Sequence, residues 1–266
     1  MICCLSIAGS DSGGNAGVQA DLRAFHAYGL HGCTVFTALT AQNPRGVSAV
    51  LSVPPDFIAA QLDAVLGVYD IKGLKTGMLP GPDAIETVAD RLSHHPGIAK
   101  VVDPVMIATS GARLASGDSI DAMKKHLAPL ATLLTPNYPE ALALCGLESS
   151  ATPPDAEELA KRIYGLFGAP VLVKGGHLAG KDATDILFDG KAALRFSLPW
   201  IENPVSTHGT GCSLAAALAA ELALGRGLAD AVAGAKRYVH DAVASSFYVG
   251  EDCGVLGFAQ REKSIR

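Results

Sequence analysis

The chain has 266 residues, ordinary for one α/β unit, and 49% are hydrophobic, enough for a large core and too many for a disordered chain. Lysine and arginine number 21 against 26 aspartates and glutamates, a net charge of -5 with no basic run, which argues against nucleic-acid or anionic-membrane surfaces and for small partners. No apolar segment reaches the roughly 18 residues of a membrane helix, and residues 1–9 lack the basic start of a signal peptide, so a cytoplasmic protein is expected.

In chain order, residues 2–8 read as a buried strand, 9–17 as a glycine loop, and 18–28 as a helix through Val18, Leu22 and Phe25. Residues 33–39 form the next strand, and Pro54-Pro55-Asp56 opens a helix through Phe57, Leu62 and Leu66. Short apolar strands follow at 71–75, 101–104, 133–135 and 171–174, with helical segments such as 82–92 and 155–167 between them. The alternation predicts a mostly parallel sheet covered on both faces, with ligands outside the carboxyl ends of the strands. Residues 186–196 read as a hairpin turning at Asp189-Gly190, an antiparallel addition at a sheet edge. No composition break divides the chain, so one domain over 1–266 is expected, with an irregular tail from Cys253.

The six cysteines include no C-x-x-C pair and the eight histidines no H-E-x-x-H, so free thiols in a reducing compartment are expected and structural zinc is not. Polar residues fall at strand ends instead: Asp103, Asn137, Glu140, Lys174 and Gly175-Gly176. The central stretch is Ser206-Thr207-His208-Gly209-Thr210-Gly211-Cys212, which opens a helix of leucine and alanine whose one charge is Glu221. Unpaired N–H groups and the helix dipole make that start a site for an anion, and the glycines allow close approach. Thr210 adds a hydroxyl and Cys212 a thiol whose anion the dipole would favour. The plain alternative is a glycine turn capping a core helix.

The first loop, Gly9 to Gly17, lacks the G-K-[ST] ending of a Walker A and the spacing of a dinucleotide fingerprint. It either permits a tight strand-to-helix connection or lets a flat ligand lie on backbone. In the second case Asp21 and Gln42-Asn43 offer a carboxylate and an amide to the nitrogens of a heterocycle.

Eight blocks then stand in order: Gly9-Ser10-Asp11; Gly17-Val18-Gln19-Ala20-Asp21-Leu22; Thr37 to Asn43; Thr76-Gly77-Met78-Leu79; Asp103-Pro104-Val105-Met106; Thr135 to Glu140; Lys174-Gly175-Gly176-His177; and Thr207 to Cys212. Together they resemble the hydroxymethylpyrimidine/phosphomethylpyrimidine kinase family of the ribokinase-like superfamily, over residues 2–245. The resemblance implies a three-layer α/β/α fold with a mostly parallel sheet. It implies transfer of phosphoryl groups from ATP to 4-amino-5-hydroxymethyl-2-methylpyrimidine and then to its monophosphate, in thiamin biosynthesis. By the same resemblance Gly9, Asp21, Gln42 and Met78 line the pyrimidine pocket, Asp103 and Glu140 organise Mg2+, Asn137 and Lys174 face the nucleotide phosphates, and Gly209, Thr210, Gly211 and Cys212 form an anion hole. A homodimer is also implied.

Sugar kinases of the superfamily carry aspartate as the base where this chain has Cys212. Its place at a helix start makes the thiol a candidate base, the alternative being a residue that fills space beside the pocket. Asn15 replaces a glycine and Thr109 a lysine of the commoner pattern, and the tail lacks a glycine- and histidine-rich ending. Relatives with a cysteine here also phosphorylate pyridoxal or pyridoxine, so that activity is the second expectation and a non-catalytic pyrimidine-binding protein the third. The first glycine loop and residues 108–114 are the expected lids.

Overall fold

The computed structural model describes residues 1–106, 117–148, 152–175 and 182–258. Its centre is a nine-stranded sheet in the order β3-β2-β1-β4-β5-β6-β7-β8-β9, comprising β1 (Cys3–Asp11), β2 (His31–Asn43), β3 (Gly46–Ser52), β4 (Ile71–Thr76), β5 (Ala99–Val102), β6 (Leu133–Leu134), β7 (Val171–Val173), β8 (Asp182–Phe188) and β9 (Ala193–Pro199). The strands from β2 to β7 run parallel, while β3 at one edge and the β8–β9 pair at the other are antiparallel. Among the described residues α1 (Gly17–Ala27), α7 (Thr210–Ala223) and α8 (Leu228–Ala244) cover one face. The other carries α2 (Pro55–Leu66), α3 (Pro82–Ser93), α4 (Gly117–Ala122), α5 (Tyr138–Cys145) and α6 (Ala156–Phe167).

Both faces of the central parallel strands β1, β5, β6 and β7 are buried, so neighbouring apolar residues serve opposite cores. Val101, Leu133 and Leu172 pack under α1, α7 and α8, whereas Val102, Leu134, Val171 and Val173 pack under the opposite layer. This is why the strands read as continuous apolar runs rather than alternating ones. A fully buried leucine or valine of this kind contributes about 1.5–3 kcal/mol by leaving water. The alanine content of α7 has a steric reason. A Cβ built on Gly73 would lie 2.4 Å from the Ala219 carbonyl oxygen, so helix and strand touch backbone to backbone, and the residues from Ala215 to Ala220 are fully buried.

Several boundaries differ from expectation. β1 continues to Asp11, so the first loop begins later, and β2 continues to Asn43, where a two-residue turn sends the chain back as β3. The exposed face of this hairpin hides its strand periodicity, since Val50 and Leu51 are exposed and Leu39 is half exposed. The hairpin at Asp189-Gly190 stands as expected, with the Asp189 carboxylate accepting from the Lys191 and Ala192 N–H groups and Gly190 at φ 93°. The described start of the tail, residues 253–258, is ordered: β10 (Phe247–Tyr248) pairs with β11 (Gly254–Val255), Leu256 is buried, and the Gly257 N–H donates to the Ala242 carbonyl. No helix among the described residues is long and apolar enough to cross a membrane. Residues 107–116, with the expected lid and Thr109, lie outside the described residues, as do Gly176 and His177.

Candidate active site

From β1 the sheet is extended in both directions, toward β2 and toward β4, the arrangement that opens a crevice at the carboxyl ends of the strands. A cavity of about 1020 Å³ fills it. One end is lined by Gly9, Gln42 and Met78, the middle by Asp103, Asn137, Glu140, Lys174 and the Gly209-to-Cys212 loop, and the far end by Trp200, His240 and Val243. Every expected site residue borders this cavity except Asp21.

Asp21 is the correction. Its side chain is 0% exposed, accepts a hydrogen bond from Ser6 Oγ at 2.5 Å, and pairs with Lys75 Nζ at 3.1 Å. α1 packs on the sheet through the face that carries Asp21, so the carboxylate points inward and burial pushes its pKa up. It does not line the cavity, where Gln42 is the expected polar contact that does.

The middle of the site is built on three strand ends. Lys174 follows β7 and its N–H donates to the Pro136 carbonyl, which holds it beside Asn137. Lys174 Nζ donates to Asp103 Oδ1 at 2.8 Å and stands 3.9 Å from Glu140 Oε2, and Thr135 Oγ1 donates to the same Asp103 oxygen at 3.0 Å. Asn137 caps α5: its Oδ1 accepts the Glu140 N–H at 2.9 Å while Glu140 Oε2 accepts the Asn137 N–H at 2.8 Å. This capping box orients Glu140 and occupies the Asn137 carbonyl, so the Asn137 NH2 is the group left to meet an anion. Burial raises the Glu140 pKa to about 7; Lys174 works against this and Asp103 with it. Burial disfavours the Lys174 ammonium, but Asp103 and Glu140 outweigh it and its pKa is raised.

The Gly209-to-Cys212 loop reaches α7 through Gly209, at φ 88°, and the first i→i−4 bond of the helix is Ser213 N–H to the Gly209 carbonyl. The N–H groups of Gly211 and Cys212 precede it and lack an intrahelical acceptor. A Cβ on Gly211 would lie 3.7 Å from Lys174 Nζ, so the ammonium and the helix start face each other across a short gap. Cys212 departs from expectation in one respect. The helix start was expected to lower its thiol pKa, yet burial raises it; Lys75 and the Gly17 N–H act to lower it, while Asp21 and Asp103 add to the rise.

The first loop is organised by Asp11, which stood in a quoted block without an assigned role. Its Oδ1 accepts the Gly13 N–H at 2.8 Å, and its Oδ2 accepts those of Asn15 at 2.9 Å and Ala16 at 2.8 Å, with His208 Nε2 at 3.6 Å. Burial raises its pKa, but His208 and these backbone donors prevail and hold it at about 2. His208 Nε2 also lies 3.3 Å from Gln42 Nε2, bringing the loop before α7 to the expected pyrimidine end. Lys75 and the Lys236–Asp185 pair were not singled out from the sequence either. Asp185 accepts from Lys236 Nζ at 2.7 Å and from the Gly175 N–H at 2.9 Å, steadying the chain after Lys174. Nothing in the sequence separates Lys75 from Lys72 of the same strand, of which only Lys75 is buried.

Asp103 and Glu140 supply two carboxylates at one cavity edge, while no group of three or more histidine, cysteine, aspartate or glutamate side chains suited to a metal occurs among the described residues. Two carboxylates suit a magnesium ion that keeps several waters.

The family model described as phosphomethylpyrimidine kinase matches residues 11–257. The hydroxymethylpyrimidine/phosphomethylpyrimidine kinase of Rhizobium meliloti is 46% identical over 242 residues, 91% of this chain and 90% of that one. The thiamine biosynthesis bifunctional protein ThiED of Geobacter sulfurreducens is 45% identical over 98% of this chain, which spans about half, 53%, of that longer protein. Among solved structures, pyridoxal kinase from Bacillus subtilis in an ADP complex superposes with a TM-score of 0.88 at 35% identity, covering 98% of each chain. Phosphomethylpyrimidine kinase from Clostridium difficile gives 0.79 at 36% identity, covering 91% of this chain and all of that one. With a cavity built where such phosphotransferases need one and a family model spanning nearly its whole length, the chain belongs to the phosphomethylpyrimidine kinase family and has its ribokinase-like fold.

Proposed function

We propose that this protein is an ATP-dependent kinase that phosphorylates 4-amino-5-hydroxymethyl-2-methylpyrimidine and then the monophosphate to the diphosphate, in thiamin biosynthesis. The observation that carries the reading is the opposition of Lys174 and the α7 start across one gap, beside two carboxylates in a cavity of about 1020 Å³. Phosphoryl transfer asks a protein for in-line positioning and for charge to balance the phosphate oxygens, with little covalent chemistry. The pyrimidine lies at the Gly9, Gln42 and Met78 end, with its hydroxymethyl group toward Cys212. The nucleotide lies toward Trp200 and His240, its phosphates reaching Lys174 and the Asn137 NH2.

The Gly211 and Cys212 N–H groups receive the phosphoryl oxygens as charge shifts between donor and acceptor. Losing one such donor costs about 2.7–4 kcal/mol of barrier. The Cys212 sulfur, as thiolate, takes the proton of the attacking hydroxyl; a Cys212→Ala variant that keeps wild-type turnover removes this step from the mechanism. Asp103 and Glu140 would hold Mg2+, which supplies charge neutralisation at the phosphates. A homodimer and a cytoplasmic location belong to the same proposal, and light scattering in solution tests the first.

The deciding experiment is ATP consumption by the purified protein with magnesium, with hydroxymethylpyrimidine or pyridoxal as acceptor and products resolved by mass. Two phosphoryl additions to the pyrimidine are expected. Preference for pyridoxal would establish the second reading, which the likeness to the Bacillus subtilis enzyme favours; binding of pyrimidine with no turnover of either would point to a binding protein.

A further inference from the structure

Beneath the anion loop lies a charge that the reaction above leaves unused. On the sheet face under α1 and α7, Ser6 of β1 stands in register with Lys75 of β4, and the side chains of Lys75 and Asp21 are both 0% exposed. Apart from Asp21 Oδ2, Lys75 Nζ has no partner among the described residues, and Asp21 Oδ1 has none. A buried ammonium held by one ion pair is expensive, and a core made only for packing would replace the pair with apolar residues at little loss.

The direction of the side chain suggests what it serves. A Cβ built on Gly77 would lie 2.7 Å from Lys75 Nζ and 3.6 Å from Cε, so the lysine runs past Gly77 toward the carboxyl end of its strand, where the cavity is. α7 crosses β4 in the opposite sense, with Ala219 over Gly73. Cys212 comes seven residues before Ala219, about 10 Å along the helix axis toward the cavity. Gly77 comes four residues after Gly73, about 13 Å along the strand in the same direction. The ammonium and the first turn of α7 therefore meet at one level of the fold.

We propose that Lys75 is a positioning residue for phosphoryl transfer: its buried ammonium, aimed along Gly77 and steadied by Asp21, supports from below the negative charge that gathers at the Cys212 sulfur and the α7 start. Gly77 is the residue that leaves room for it. Cys212 thus feels the Lys75 ammonium and the Gly17 N–H of α1, with the carboxylates of Asp21 and Asp103 opposing, while Lys174 faces the neighbouring Gly211. Of these, Lys75 is the strongest influence against the burial of the thiol. The role deepens the reading of Cys212 as base, and the test keeps the two apart.

The test is the pH dependence of alkylation by iodoacetamide at Cys212, followed by peptide mass spectrometry to separate it from the other five cysteines. Lys75→Met is expected to move the midpoint upward by about one pH unit or more, so that Cys212 alkylates about tenfold more slowly at neutral pH. Should that variant fail to fold, Lys75→Met/Asp21→Asn removes both members of the pair and is expected to shift the midpoint in the same direction. A folded variant with an unchanged midpoint overturns the proposal, whatever its kinase activity. A shifted midpoint upholds the link between Lys75 and the thiol; if turnover then stays at the wild-type level, it is the assignment of Cys212 as base that fails.

Discussion

Gly209→Ala separates the geometry of the proposed anion hole from the stability of the fold. Gly209 has φ 88°, where an alanine is strained by about 1–2 kcal/mol. A Cβ there would stand 1.9 Å from the Asn15 carbonyl oxygen, which would have to retreat by about 1 Å to reach the shortest distance real Cβ atoms show. That oxygen belongs to the first loop, whose Asn15 and Ala16 N–H groups are tied to Asp11, so the strain falls on both loops at once. A displacement of about 1 Å at a reacting centre costs about 100-fold in rate, and a lost donor about 100- to 1,000-fold. The expected result is a fall in kcat of about 100-fold, with a loss of about 2–8 °C in melting temperature from the backbone strain. The control is Gly225→Ala, at φ 79° with nothing within 4 Å of the new methyl group, which carries the backbone strain without the clash. Steady-state kinetics and thermal unfolding of the two variants side by side decide the matter. If Gly209→Ala loses no more kcat than Gly225→Ala, the contact between the loops does not shape the anion hole.

Three further outcomes follow from single groups. Asp11, held at about 2 against an ordinary 3.8, contributes about 2 kcal/mol at neutral pH; because its folded pKa is depressed, that stability is present above about pH 4 and lost as pH falls through 2. Denaturant titrations should therefore show wild type and Asp11→Asn differing most near pH 6 and converging by pH 2. Lys174→Met leaves Asp103 and Glu140 without their cation and should lower kcat by about 100-fold or more in steady-state assays, with a smaller change in melting temperature. Leu134→Ala, in the fully buried β6, should cost about 2–5 kcal/mol in urea unfolding, with kinase activity retained in the folded fraction.

Local signals were enough where chemistry and spacing agree. Asp103, Asn137, Glu140, Lys174 and the Gly209-to-Cys212 loop fall at strand ends or a helix start, and parallel strands bring their carboxyl ends to one edge, so these residues share a cavity. The β2–β3 hairpin was not legible, because its exposed apolar residues blur the alternation by which a strand is read. Asp21 was misplaced for a different reason. A carboxylate on a helix after a glycine loop suits a ligand contact and a buried ion pair equally well, and the choice depends on Lys75, which lies more than fifty residues away in sequence. The Cys212 thiol shows the same limit: the helix start was visible in the sequence, whereas the burial that raises the thiol pKa was not.

By itself the sequence determined the α/β class, the order of most strands and helices, the family, and most of the residues that line the strand-end cavity, since each depends on local pattern or on motifs in register. Tertiary structure alone decided which way Asp21 faces, that Asp11 ties the first loop together beside His208, that Asn137 and Glu140 cap a helix as they line the cavity, and that Lys75 lies buried against Asp21. Those are outcomes of burial and of charges meeting across the sheet, and a buried charge takes its meaning from partners that only the folded chain brings within reach.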